Sequence, residues 1–358
     1  MLHFSRLFFA ALLVSFAAQT SPAAEPETYD LLIYGGTPSG LAAALEAGRG
    51  GRSVLVVEPY GRVGGLVTNG LSHADFRTFE GINGAYWEFT RNIQAYYREK
   101  FGEESPEARG NFRGTHAEPH VNQAVFAKML AEHPNIRVVT RERLMEVANS
   151  GGRIESIKCQ GANGAEHTHR ANIFLDASYE GDLLAGAGMP YRVGREARSE
   201  YGESLAPEKA DAQLQGYNFR YVMTHDPKLR VKVEAPAGYD REQFLPLIAM
   251  LEAGKFKSIF CQPTGGIYKY QTPALPHEKF DINDVSRGLA RLSLPQINDS
   301  WPEANAAERQ HIFEEHVRHN QGMLYFLQND EAVPAAFREE AAEWGWCRDE
   351  FPGTGHVP

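Results

Sequence analysis

Six residues near the start, Gly35-Gly36-Thr37-Pro38-Ser39-Gly40, restrict this chain more than any other segment. They follow Tyr29-Asp30-Leu31-Leu32-Ile33-Tyr34, an apolar run of the kind that fills a buried parallel strand. Leu41-Ala42-Ala43-Ala44-Leu45-Glu46-Ala47 then reads as a helix of good helix formers. Gly51-Arg52-Ser53 leads into Val54-Leu55-Val56-Val57, a second buried strand that ends on Glu58. The whole is a βαβ unit. Glu58 lies 23 residues beyond Gly35, close to the ~20 at which dinucleotide-binding units place an acid against a ribose. In such a unit Gly35 permits the turn out of the strand, and Gly40 lets the helix close on the sheet. The helix N-terminus offers amides and a positive dipole end to a pyrophosphate. Gly36, Pro38 and Ser39 complete that turn. Thr37 replaces the middle glycine of the usual pattern, and its side chain is expected either to crowd the pyrophosphate or to donate a hydroxyl to it. A glycine loop with no nucleotide is the alternative.

A second glycine cluster follows directly, in Pro59-Tyr60-Gly61-Arg62-Val63-Gly64-Gly65-Leu66-Val67-Thr68-Asn69-Gly70. A nicotinamide site does not need it. Here the residues resemble FAD-dependent oxidoreductases of the glutathione-reductase-like superfamily, in which an acid and then a Gly-Gly pair continue the phosphate and flavin contacts. The nearer resemblance is to a bacterial family of exported FAD-dependent oxidoreductases that carries a xanthan-lyase-related label. Glu118-Pro119-His120-Val121, Phe174 to Leu183, Gly194-Arg195-Glu196 to Tyr201-Gly202-Glu203, and Asp349 to Pro358 look like its landmarks. The resemblance implies FAD as cofactor, held by Gly35, Gly36, Thr37, Pro38, Ser39, Gly40, Glu58, Gly64, Gly65 and Asp176. The strand before Asp176-Ala177 is then expected to return to the FAD domain; a simple packed strand is the alternative. The resemblance also implies a closing strand and helix amides beyond Pro358, so a fragment with an incomplete FAD domain is one expectation.

The expected fold class is α/β: a Rossmann-like FAD-binding domain over 25–190, with a parallel sheet, and an inserted α+β substrate or cap domain over 191–300. Prolines spread among polar and aromatic residues mark the second region, from Pro207 to Pro295. Residues 301–358 are expected to be a helical segment returning toward the FAD domain, with Pro302 in the first turn of a helix running to about Leu327. Ala85 to Phe101 and Asn122 to Ala131 read as helices, Ile136 to Val139 as a strand, and Ser150-Gly151-Gly152-Arg153 as a hairpin turn.

Residues 1–24 differ from the rest. Arg6 is followed by an apolar run from Leu7 to Ala18 and by small residues at Ser21-Pro22-Ala23-Ala24, the pattern of a secretory signal peptide. A dozen apolar residues fall short of the ~20 that span a bilayer, so the chain is expected to be exported, periplasmic or secreted, with no membrane span after cleavage. A formal charge of −10 in 358 residues has the wrong sign for a broad nucleic-acid interface. The three cysteines are odd in number and far apart, and buried or free thiols are expected.

The expected chemistry is flavin-mediated hydride transfer from a small organic substrate, sugar-derived if the family label is a guide, with an unknown electron acceptor. A nucleotide-binding protein without turnover and a nicotinamide-dependent dehydrogenase are the competing readings. His73, just past the second glycine cluster, is the candidate catalytic residue; a hydrogen-bonded loop histidine is the alternative. Glu180 and Asp182 are candidates for orienting flavin or substrate, or equally for helix N-terminal charge. His311, His316 and His319 with Glu315 read as a solvated helix face, and Pro119 disfavours a helical ligand pair at His116 and His120. No metal is expected.

Overall fold

A computed structural model describes residues 27–284 and 288–358. The expected signal segment lies outside them. Two six-stranded sheets organise the chain. The first runs β3-β2-β1-β6-β5-β4, with β1 Thr28–Tyr34, β2 Val54–Glu58, β3 Ile136–Thr140, β4 Glu142–Ser150, β5 Arg153–Gly161 and β6 Glu166–Asp176. Strands β3, β2, β1 and β6 are parallel, while β4, β5 and β6 form an antiparallel meander. This is a Rossmann-like α/β arrangement. The runs Leu31 to Tyr34 of β1 and Val54 to Val57 of β2 are apolar because both faces are covered there. Ile33 and Val56 meet Phe89, Ile93, Val125 and Phe126 of helices Gly84–Phe101 and Pro119–Ala131, whereas Leu32 and Leu55 pack with Ile157 and Cys159 on the other face. Leu32, Ile33, Leu55 and Val56 are fully buried, each contributing about 1.5–3 kcal/mol of transfer free energy. The meander turns at Gly151-Gly152, both with positive φ.

The second sheet has the order β8-β12-β7-β11-β10-β9, from β7 Tyr221–Thr224, β8 Arg230–Val231, β9 Phe260–Cys261, β10 Tyr268–Tyr270, β11 Lys279–Asp284 and β12 Gly345–Cys347. It is antiparallel except where β9 meets β10. Its core takes Met323, Leu324, Phe326 and Leu327 from helix Ala306–Asn329 and Trp344 and Trp346 from near the end. Residues beyond 300 thus contribute to this core, while Glu350 reaches His120 of the first unit. The helix also begins later than its proline suggests. Pro302 lies in a short 3₁₀ turn, and Asn305 starts the helix through a capping box with Glu308. Cys159, Cys261 and Cys347 are buried free thiols. Among the described residues, no helix is long and apolar enough to cross a membrane.

Candidate flavin site

The two glycine clusters meet at the carboxyl ends of β1 and β2. Gly35 leaves β1 with φ +102° and its amide donates to the Val57 carbonyl at 2.8 Å. A Cβ there would lie 2.5 Å from the Ser178 amide nitrogen, so the Ala177-Ser178 turn just after β6 passes too close for a side chain. A Cβ on Gly40 would overlap the Gly35 carbonyl oxygen and reach within 3.2 Å of Ile33 Cγ2, which is why helix Pro38–Arg49 can start directly against the strand. The Gly64 amide donates to the Gly36 carbonyl at 2.6 Å, tying the second cluster to the first. Gly64 takes φ +101° as it turns into the helix Gly65–Thr68.

Thr37 is engaged within the protein. Its hydroxyl donates to the Ala177 carbonyl at 2.7 Å and accepts the Gly40 amide at 3.3 Å, so it caps the helix and faces inward. Pro38 has no N–H to offer, and Ser39 is exposed at the helix start. Glu58 is buried; Oε2 accepts the Gly36 amide at 2.7 Å and Oε1 the Tyr60 amide at 2.8 Å. Burial raises its carboxyl above the ordinary range despite those two donors. Asp176 pairs with Tyr34 at the end of β6, but its carboxylate is engaged by Ser178 and by the Leu184 amide at 2.7 Å, which places it at the start of helix Asp182–Gly186.

Gly65 packs closely against Pro38 and Tyr179: a Cβ there would lie 3.1 Å from Pro38 Cδ and overlap the Tyr179 hydroxyl. That hydroxyl accepts the Leu66 amide at 2.9 Å, and Tyr179 is 59% exposed. Helix amides, two joined glycine turns and a buried acid at the end of β2 are the groups that a dinucleotide's pyrophosphate and ribose require, and the residues present fit FAD.

His73 is buried at the joint between the two sheets. Its ring stacks on His116 with centroids 3.8 Å apart, and His116 stacks on Phe112 at 4.7 Å. His73 Nε2, His116 Nδ1 and Ser72 Oγ are buried without a partner. Burial pushes the His73 imidazole down to about 3 and His116 down to about 4. The loop is pinned from the second sheet: Asp281 Oδ2 accepts the Ser72 and His73 amides at 3.0 Å each, and Arg220 binds both carboxylate oxygens at 2.9 Å. Burial raises the Asp281 carboxyl against the pull of Arg220 and these amides. The sequence singled out His116 only as a disfavoured metal ligand and did not point to Arg220 or Asp281; all three stand far from His73 in the chain and share no motif with it.

Beside this joint, Lys279 Nζ is fully buried among Glu118 at 2.6 Å, Asp349 at 2.7 Å and Glu350 at 2.9 Å. His120 Nδ1 reaches Glu350 at 2.6 Å, so two blocks singled out in the sequence, around Glu118 and around Glu350, come together. Burial alone would raise the Glu118 carboxyl, but the His277 hydrogen bond and the Lys279 charge overcome it and hold it at about 2. Glu180 and Asp182 hold residues of the second unit: Glu180 accepts Trp301 Nε1 at 2.7 Å and Asp182 pairs with both Nη atoms of Arg309. The expected solvated histidine face is also partly buried. His316 Nδ1 meets the Ile312 carbonyl at 2.8 Å and His319 Nε2 the Arg291 carbonyl at 2.8 Å, and burial lowers both imidazoles.

Among solved structures, the chain is similar to the myxobacterial chondrochloren halogenase CndH, a FAD-dependent halogenase, with 17% identity over 48% of this chain and 41% of that one and a TM-score of 0.35. It is similar to the bacillithiol disulfide reductase Bdr of Bacillus cereus, with 17% identity over 42% of this chain and 39% of that one and a TM-score of 0.29. A third is the OxyS anhydrotetracycline hydroxylase of Streptomyces rimosus, with 11% identity over 72% of this chain and 44% of that one and a TM-score of 0.37. The chain thus spans less than half the length of each. No curated protein matches it. The family model described as FAD dependent oxidoreductase matches residues 30–358, so both glycine clusters, the His73 joint and the Lys279 cluster lie within the match, and the chain belongs to the FAD-dependent oxidoreductase family.

Proposed function

We propose that this family member is an exported oxidoreductase that takes hydride from a small organic substrate and passes the electrons to a separate acceptor, with sugar-derived compounds as the first substrate class to test. The observation that carries the reading is the bond from the Gly64 amide to the Gly36 carbonyl at 2.6 Å. It runs the nucleotide half of the site directly into the loop that ends on His73, at the joint between the two sheets where small-molecule sites commonly form. Bound FAD supplies the hydride acceptance.

The chain's own residues divide the remaining work. Gly35, Gly36 and Gly40 let strand, turn and helix pack without side chains between them, Thr37 fixes the cap, and the Pro38–Ser39 end of the helix would present its amides and dipole to the pyrophosphate. Glu58 keeps a second lone pair on each oxygen for ribose hydroxyls while holding the Gly36 and Tyr60 amides. Asp176 is a positioning residue that acts through Ser178 and Leu184. His73, neutral at physiological pH, cannot store a proton there; with Nε2 unpartnered it serves as a hydrogen-bond acceptor that orients a substrate hydroxyl.

The test is anaerobic mixing of the flavin-loaded chain with a panel of sugars, sugar acids and simple alcohols, following the flavin absorbance. Bleaching by at least one sugar-derived compound, with colour restored by an added quinone or dye, is expected. A flavin that dithionite bleaches and no member of the panel does would remove this substrate class.

A further inference from the structure

Two groups of imidazole and carboxylate atoms converge among the described residues, one at Glu118, His120, Asp349 and Glu350, the other at Glu142, His167 and His169. In the first the place of a cation is already taken by Lys279 Nζ, within 2.9 Å of three carboxylates. The second has no such occupant. Glu142 is buried, yet among the described residues no Lys or Arg lies within ion-pair distance of it; its charged-pair partners are the two imidazoles. Arg137, which senses the Glu142 charge from further off, is engaged by Tyr29 and Glu27.

The meander assembles this group from three strands. His167 and His169 are two apart on β6 and so lie on one face. They pair across β5 with Cys159 and Ile157, while Glu142 pairs across β4 and β5 with Gly161. Gly161 carries no side chain, and a Cβ there would come within 3.5 Å of His167 Cε1. The Glu142 carboxylate can therefore cross the middle strand and reach both rings: Oε1 lies 2.7 Å from His167 Nδ1 and Oε2 2.6 Å from His169 Nε2. The ligand atoms all fall within 4.8 Å of one another. His169 is largely covered, but the His167 side chain is 43% exposed, which leaves one direction open to water.

We propose that Glu142, His167 and His169 form a binding site for a divalent first-row transition metal ion that ties β4 to β6 across β5. Two imidazole nitrogens and one carboxylate oxygen are the donor set such ions prefer, and three protein ligands with an open fourth position suit tetrahedral Zn²⁺. Binding needs a lone pair on His167 Nδ1 and on His169 Nε2, so in each neutral ring the proton resides on the other nitrogen. The sequence hid this site because its ligands sit on strands, at a two-residue spacing and a separate carboxylate 25 residues away.

The test uses the full chain without a histidine tag, stripped with a chelator and titrated with Zn²⁺ by calorimetry and with Co²⁺ by visible absorbance. One equivalent is expected, with at least a tenfold weaker Kd in Glu142→Gln or His167→Ala and loss of saturable binding in the His167→Ala/His169→Ala double variant. FAD content and circular dichroism should not change. As a check that needs no variant, Zn²⁺ should protect His167 from diethyl pyrocarbonate. No saturable binding to the wild-type chain would overturn the proposal and leave Glu142 as a carboxylate hydrogen-bonded to two imidazoles. Stoichiometric binding that survives in the folded double variant would overturn it as well.

Discussion

Glu58 shows how one side chain can serve two levels of the site. Its carboxylate gathers the Gly36 and Tyr60 amides, fixing both ends of the loop pair, and retains acceptor capacity toward ribose. Glu58→Ala should weaken FAD binding by about 1.5–3 kcal/mol, the worth of hydrogen bonds to a charged acceptor, read as roughly a tenfold to hundredfold rise in Kd by flavin fluorescence titration. An unchanged Kd would remove Glu58 from the site. His116 makes a different kind of prediction. Burial holds its imidazole at about 4 in the native chain, whereas an unfolded histidine titrates near ~6.5. The unfolded state therefore binds the extra proton first, and this contribution to stability is intact above that pH and is lost as pH falls toward the native value. His116→Phe should lose less stability than wild type between pH 7 and 4, by up to about 3 kcal/mol. Urea unfolding across that range measures it; parallel curves for the two proteins would show that His116 is not held neutral.

At the scale of elements, the joint between loop 70–73 and β11 matters most. Asp281→Ala would leave the Arg220 guanidinium and two backbone amides without their shared acceptor, a loss of about 3–5 kcal/mol visible as a lower urea midpoint together with faster flavin release. A midpoint within error of wild type would mean that the joint does not hold the loop. That joint was invisible in the sequence, and the contrast with β1 explains why. Leu31 to Tyr34, the glycines, the helix of alanines and leucines, and Val54 to Val57 announce themselves because a parallel strand covered on both faces must be apolar throughout and a turn this tight must be glycine. The hairpin at Gly151-Gly152 was legible for the same reason. The second sheet has strands as short as Arg230–Val231 and Phe260–Cys261, too brief to show a period, and they are scattered through a proline-rich stretch. Its longest helix supplies Phe326 and Leu327 to that sheet from beyond the apparent boundary at residue 300. Within the candidate site, the contiguous glycine motifs could be read in advance. Thr37 could not, since only the position of the Ala177 carbonyl decides where its hydroxyl goes.

For the whole molecule, buried charge joins the two units. Lys279 of the second sheet sits among Glu118 from the first unit and Asp349 and Glu350 from near the end of the chain. Lys279→Met would leave those carboxylates facing one another, and should cost about 3–5 kcal/mol or more, with the loss partly recovered when Glu118→Gln is added; a urea midpoint that does not fall would show that the cluster is not a joint. At this scale the two glycine clusters form one flavin site. The most direct measurement is the FAD content of the purified chain and of Gly40→Val, from visible absorbance after acid or heat release. One FAD per wild-type chain, and loss of it in a Gly40→Val protein that keeps its circular dichroism, is the predicted result. A folded wild-type chain that is colourless and takes up no added FAD, or a Gly40→Val chain with its full complement, would contradict it.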